Sequence, residues 1–223
     1  MDKIRVIEIK ESVFKENEVH ADALRDELRS KKTFLLNVMA SPGAGKTTTL
    51  TAIINKLKTK YKIAVMEADI DGLVDTKTII ERTGVEAIQI HTGGMCHLDA
   101  TMTKQGISGL KENDYDIIFL ENVGNLVCPA EFDTGSSMNM NILSVPEGDD
   151  KPLKYPLMFQ VCDLVVINKV DVIDYFNFSL DRVKENIKMR NQNATIIPIS
   201  ALKNEGVDEV CRFIENKVEE WRK

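Results

Sequence analysis

Six short apolar runs recur along the chain, at 34–39, 63–66, 87–90, 117–120, 164–167 and 195–199. They are nearly continuous rather than alternating, which is how strands buried on both faces of a parallel sheet read. Helix-length segments separate them, at 47–60, 75–83, 99–111, 179–190 and 206–221. Strand followed by helix throughout predicts an α/β fold, a mostly parallel sheet flanked by helices with right-handed crossovers. Met138, Met140 and Ile142 alternate with Asn139 and Asn141, so that segment reads as a half-exposed strand. The first thirty residues differ: Phe14, Ala21, Leu24 and Leu28 fall at helical spacing with charges between them. Residues 1–30 are therefore read as an amphipathic helix or extension, and 31–223 as one domain.

Composition narrows the classes. Among 223 residues, 35 acidic side chains face 29 basic ones, and no long basic run appears. Nucleic acid is not the expected partner. No apolar window is long enough to span a bilayer, and the charged start from Met1 to Lys10 lacks a signal-peptide core. Cys96, Cys128, Cys162 and Cys211 are too few and too scattered for a disulfide framework. A cytoplasmic protein away from membranes is the expectation.

Ala40-Ser41-Pro42-Gly43-Ala44-Gly45-Lys46-Thr47 follows the first run and opens a helix. It meets a phosphate-loop template at three of its four defining positions, with Ala40 where the first Gly stands. Backbone N–H groups over Gly43, Ala44, Gly45, Lys46, Thr47 and Thr48 would face phosphate oxygens. Lys46 would bring charge to the β and γ phosphates, and the Thr47 hydroxyl would ligate Mg²⁺. A bare strand-to-helix turn is the competing reading. Asn168-Lys169-Val170-Asp171 directly follows another run, at the sheet edge where such folds bind ligands. The Asp171 carboxylate can accept from both N1–H and the 2-amino group of guanine, donors adenine does not offer in that geometry. Lys169 would cover the purine, Asn168 its N7 edge, and Ser200-Ala201-Leu202-Lys203 reads as a second base loop. Paired with Lys46, the pattern points to GTP and GDP.

Glu121-Asn122-Val123-Gly124 ends the run at 117–120, with Glu121 where an Asp usually holds Mg²⁺ and Gly124 where the γ-phosphate is sensed. Asp69-Ile70-Asp71-Gly72 offers a further carboxylate. Asp69 is read as functional, alongside Lys46, Glu121 and Gly124. For Asp71 and Asp75, a turn and a helix cap compete evenly with function. No Gln adjoins Gly124 and no Arg stands out as a finger in cis, so slow intrinsic hydrolysis is expected.

Gly93-Gly94-Met95-Cys96-His97 and Asn125-Leu126-Val127-Cys128-Pro129 leave the same sheet edge. Their spacing fits no zinc-finger template, and free cysteines often pack as small hydrophobes. Yet both sit in polar, Gly- or Pro-marked loops, and thiolate with imidazole suits Zn²⁺ or Ni²⁺. Cys162 and Cys211 read as packing residues, His91 as structural and His20 as solvent-facing. Three ligands leave a fourth position for water or a second subunit. Cys128 lies four residues past Gly124, so a phosphate-driven shift there would move a metal ligand.

Together these segments, with Leu153-Lys154-Tyr155-Pro156, resemble the nickel-inserting GTPases of hydrogenase maturation, the HypB family. The resemblance implies a phosphate-loop GTPase of the SIMIBI branch that forms a GTP-dependent homodimer. It implies a metal site from Cys96, His97 and Cys128 at the subunit interface, and Lys154 reaching the partner's nucleotide. It also implies nickel delivery to a nickel-iron hydrogenase large-subunit precursor alongside other maturation proteins. Many relatives carry a Cys-rich or His-rich N-terminal motif, whereas the start here holds only His20, so a separate N-terminal nickel site is not expected. Alternatives are a urease-type accessory GTPase, whose Cys-Pro-His motif is not matched by Cys128-Pro129-Ala130, a cobalamin-enzyme accessory GTPase, and a GTP-binding switch with little turnover.

Overall fold

The computed structural model describes residues 10–69, 74–112 and 114–223. In chain order its elements are α1 (Lys10–Ser30), β1 (Phe34–Ala40), α2 (Lys46–Leu57), β2 (Ile63–Asp69), α3 (Val74–Thr83), β3 (Glu86–His91), α4 (Ala100–Ser108), β4 (Ile117–Glu121) and α5 (Cys128–Glu131). There follow β5 (Met138–Ser144), α6 (Lys151–Lys154), α7 (Pro156–Gln160), β6 (Leu164–Asn168), α8 (Leu180–Lys188), β7 (Thr195–Pro198) and α9 (Val207–Trp221). Every apolar run falls in a strand, apart from Ile199 just past the end of β7. The seven strands form one sheet in the order β3-β2-β4-β1-β5-β6-β7, and every pairing is parallel. The chain leaves β1 toward β2 on one side, whereas β4 connects to β5 on the other, so the ligand crevice of such a sheet opens at the carboxyl ends beside β1.

Two faces are covered, which explains the continuous apolar runs. Leu36 and Val38 of β1 join Ile53 and Ile54 of α2, Ile79 of α3 and Ile214 of α9 in one core. On the opposite face, Leu35 packs with Leu24 and Leu28 of α1, and Met39 packs with Phe159 of α7 and Ile187 of α8. Asn37 stands between Leu35 and Met39 on that face, and an amide seam runs through it. Asn122 Nδ2 donates to Asn37 Oδ1 at 3.1 Å, Asn37 Nδ2 to Asn139 Oδ1 at 3.0 Å, and Asn139 Nδ2 to the Val161 carbonyl at 3.2 Å.

This seam corrects the reading of 138–142 as half-exposed. β5 lies between β1 and β6, and all its residues except Asn139 are buried. Asn141 donates to the Met39 carbonyl at 3.3 Å. The alternating amides find partners within the sheet instead of solvent.

Of the segment 1–30 read as an amphipathic helix or extension, Lys10–Ser30 form α1, and residues 1–9 lie outside the described residues. Ala21, Leu24 and Leu28 are buried, and α1 packs on α4. His20 stays exposed, its Nδ1 3.1 Å from Thr101 Oγ1. Asp99 caps α4, accepting from the Met102 N–H at 2.8 Å, and Ser179 caps α8 in the same way at 3.2 Å. No described helix is long and apolar enough to cross a membrane.

Candidate functional site

The chain leaves β1 at buried Ala40 and turns through Gly43 (φ 75°) and Gly45 (φ 94°) into α2. Gly45 is required twice over. Its backbone is left-handed, and a Cβ there would stand 2.6 Å from Asn168 Nδ2. The turn is braced from β5: Ser41 Oγ donates to Glu147, whose other oxygen accepts from the Ser144 N–H at 2.8 Å. The free N–H groups at the start of α2 form an anion-binding geometry.

The predicted base residues meet this turn directly. Asn168 Nδ2 donates to the Ala44 carbonyl at 3.0 Å, and Lys169 Nζ to the Gly43 carbonyl at 2.6 Å. A cavity of about 250 Å³ is lined by Gly45, Thr48, Asn168, Lys169, Asp171, Val172, Ala201 and Leu202. Asp171 sits in a short 3-10 helix, Val170–Tyr175. Ser200 is buried and does not line the cavity; its Oγ accepts from the Lys203 N–H at 3.2 Å and so shapes the loop. Gly45, Thr48 and Lys169 also line a second groove with Lys46, Thr47, Asp75, Arg82 and Glu121.

The carboxylates converge differently from expectation. Glu67 of β2 and Glu121 of β4 are direct partners across parallel strands. Their oxygens and one from Asp75 all lie within 4.8 Å of one another, the one such group of three potential ligands among the described residues. Asp69 lines the neighbouring cavity with Lys46, Glu121 and Gly124 but lies outside this group. Asp71 and Gly72 fall outside the described residues. Glu121 is 2% exposed, and its Oε2 has no hydrogen-bond partner. Burial pushes its pKa up to about 8 although Lys46 opposes the shift. Burial raises Glu67 as well, against a hydrogen bond from Thr76. Three crowded oxygen donors, one of them buried and unpartnered, fit a hard cation such as Mg²⁺. Gly124 closes the phosphate end, where a Cβ would lie 3.3 Å from Lys46 Nζ.

The thiols of Cys96 and Cys128 meet each other. Cys96 lies in the turn after β3, and Cys128 opens the one-turn helix α5. Their contact, with a smaller contribution from burial, raises the Cys96 pKa. His97 Nδ1 is 3.8 Å from Cys96 Sγ. Its ring stacks on Phe132 at 3.7 Å and 12°, and burial lowers its pKa. The three ligand atoms do not all come within 4.8 Å of one another, and Cys96 is the member that both Cys128 and His97 approach. Two thiols and an imidazole remain a donor set suited to Ni²⁺ or Zn²⁺.

The other candidates are placed as follows. Cys162 and Cys211 are buried, within reach of the Met158 carbonyl at 3.0 Å and the Ile53 carbonyl at 3.9 Å. Burial raises both, Cys211 to about 12. His91 ends β3, exposed, in register with Asp69. Lys154 is exposed, 2.6 Å from Asp150, and lines neither the base cavity nor the phosphate groove.

Residues 34–198 match the CobW/HypB/UreG nucleotide-binding domain. The chain is 41% identical over 217 residues to the hydrogenase maturation factor HypB of Escherichia coli K12, covering 97% of this chain and 74% of that protein. The chain belongs to the HypB family. The probable hydrogenase maturation factor HypB of Methanocaldococcus jannaschii is 34% identical over 99% of both chains. The crystal structure of HypB from Helicobacter pylori in complex with nickel superposes with a TM-score of 0.86, at 37% identity, covering 92% of this chain and 96% of that one.

Two lining residues of this HypB-family chain were not singled out in the sequence: Glu67, in the cavity with Asp69, and Arg82. Glu67 is a charged residue inside an apolar strand, which was itself the available signal. Arg82, at the end of α3, lines the phosphate groove. Nothing in its local sequence distinguishes it from an ordinary basic residue in a last helical turn.

Proposed function

We propose that this chain is a GTP-hydrolysing metallochaperone that takes Ni²⁺, or Zn²⁺ in its place, and assists nickel insertion into a nickel-iron hydrogenase precursor. It acts in the cytoplasm with other maturation proteins and dimerises around GTP, residues 31–223 serving as one GTPase domain. The observation that carries this reading is the shared loop. Cys128 meets Cys96 and lies four residues past Gly124, whose Cα backs directly onto the Lys46 ammonium.

In this reading Asp171 reads the base, with Asn168, Lys169, Ala201 and Leu202 forming its pocket. Backbone groups from Gly43 to Thr48 cradle the phosphates, and Lys46 balances their charge. Thr47 and Glu121, with Asp75 and Glu67 beside them and Asp69 next to the groove, would hold Mg²⁺. The ion would supply charge neutralisation at the β and γ oxygens. Gly124 lets the loop approach the terminal phosphate, and loss of that phosphate shifts Cys128 relative to Cys96. Lys154, on the surface, is available to a nucleotide held by a second subunit.

Nickel titrations of the wild type and Cys96→Ala in the GTP, GDP and nucleotide-free states test the coupling. The wild type is expected to show state-dependent affinity that Cys96→Ala loses. Equal wild-type affinity in all three states would overturn the coupling.

A further inference from the structure

None of the α1 residues lines the base cavity or the phosphate groove, yet the helix touches both segments that carry the thiols. Asn17, 8% exposed, donates from Nδ2 to the Asp133 carbonyl at 2.9 Å and accepts at Oδ1 from the Ala100 N–H at 3.0 Å. Asp133 lies five residues past Cys128, just after α5. Ala100 is the first residue of α4, four past Cys96 and three past His97. One buried amide therefore ties the two loops together. It also satisfies one of the backbone donors that a helix start leaves open.

Two further sets of contacts hold α1 to the segment after Cys128, and the first of them extends to His97. Phe14 of α1 lies 5.0 Å from Phe132, centroid to centroid, and Phe132 stacks on His97. Arg25 pairs with Asp133 and donates from Nε to the Ser136 carbonyl at 3.0 Å. The turn at Gly135 passes so close beneath α1 that a Cβ there would stand 2.9 Å from Leu24 Cδ2.

We propose that α1 is a clamp that sets the apposition of Cys96 and Cys128, with Asn17 as its positioning residue. The inference rests on the reading above that these thiols take a metal. The clamp fixes the far end of the loop that begins at Gly124. Motion started at the phosphate must then be taken up between Gly124 and Asp133, where Cys128 lies. Removing the amide strips the part-buried Asp133 carbonyl and the buried Ala100 N–H of their partner, and the two loops lose their common anchor.

Two measurements on the full chain decide the matter. The first is Ni²⁺ titration followed by thiolate-to-nickel charge-transfer absorption. The second is the rate at which diamide drives a Cys96–Cys128 disulfide in the metal-free protein, mapped by mass spectrometry. Asn17→Ala is expected to weaken Ni²⁺ binding about tenfold or more, alter the charge-transfer band and slow the disulfide severalfold, while GDP affinity stays within twofold. Asn17→Asp, which keeps the acceptor for Ala100 and loses the donor to Asp133, is expected to fall between; should Asn17→Ala fail to bind GDP, this variant decides. A wild type that shows no nickel band, with slower disulfide formation in the variant, would sink the metal reading and leave the clamp standing. Wild-type behaviour of the folded variants in both measurements would overturn the clamp.

Discussion

Asn168 Nδ2 donates to the Ala44 carbonyl at 3.0 Å, so the end of β6 is bonded to the phosphate turn. The same amide accepts at Oδ1 from the Lys169 N–H at 2.8 Å and the Ala201 N–H at 3.1 Å. Three loops thus meet on one side chain that is 2% exposed. Asn168→Ala leaves these backbone groups without their partner, at a cost of about 1–3 kcal/mol for a buried group. GDP and GTP affinity are expected to fall together by about tenfold or more, with a lower melting temperature. Isothermal titration and a thermal melt check both; unchanged affinity for both nucleotides would contradict the role.

Asp171 lines the base cavity. Its carboxylate can accept two hydrogen bonds from guanine, whereas an amide presents one acceptor and one donor edge. Asp171→Asn is expected to lose GTP affinity by about a hundredfold and to gain affinity for xanthosine triphosphate, which offers an oxygen at position 2. Competition binding of the two nucleotides is the measurement. Retained GTP preference would assign base reading elsewhere.

Glu121 gives a pH signature. Its folded-state pKa of about 8 lies above the ordinary carboxyl value of 4.5 because burial disfavours the charge. The folded chain holds a proton there that the unfolded chain releases at lower pH. This contribution to stability is full below pH 4.5 and is lost as pH rises through about 8. Glu121→Gln stays neutral and escapes the loss. Without Mg²⁺ and nucleotide, the melting temperature of Glu121→Gln relative to wild type is expected to climb from pH 5 to about pH 8 and then level. A constant difference across that range would refute it.

Metal uptake carries the opposite proton requirement. The Cys96 thiol is raised by its contact with Cys128 and by burial, so it holds its proton near neutrality. Burial lowers His97, so the imidazole is neutral and able to ligate there. Nickel must displace thiol protons, and each one displaced strengthens binding about tenfold per pH unit below the thiol pKa. Affinity is expected to rise at least about tenfold between pH 6.5 and 7.5, with protons released into a weakly buffered titration. Binding without proton release would exclude the thiols as ligands.

The strands were legible because a sheet covered on both faces writes apolar residues without interruption. β5 was legible as a strand and misread in exposure: Asn139 and Asn141 look like solvent-facing positions until Asn37, Asn122 and the Met39 carbonyl stand beside them. That Asn168, Lys169 and Asp171 line one cavity with Gly45 could be read from the sequence because those three lie close together in the chain. The carboxylate group could not, because Glu67 and Glu121 come together through strand register, 54 positions apart in the chain. For the same reason the role of Asn17 is invisible in the sequence. It depends on two backbone groups, and a backbone group carries no residue signature.

Strand order has a consequence for how information is partitioned. The residues proposed to contact the base lie at the ends of β6 and β7, and the thiols follow β3 and β4, with β1 between the two halves. GTP and GDP present the same base to the first half and differ only at the phosphate end, toward β4. Discrimination and reporting then sit on opposite sides of β1 and are joined at the phosphate turn, where Asn168 bonds the Ala44 carbonyl. In that reading one half asks whether the right nucleotide has arrived and the other whether it has been spent, and the turn between them is where the two answers meet.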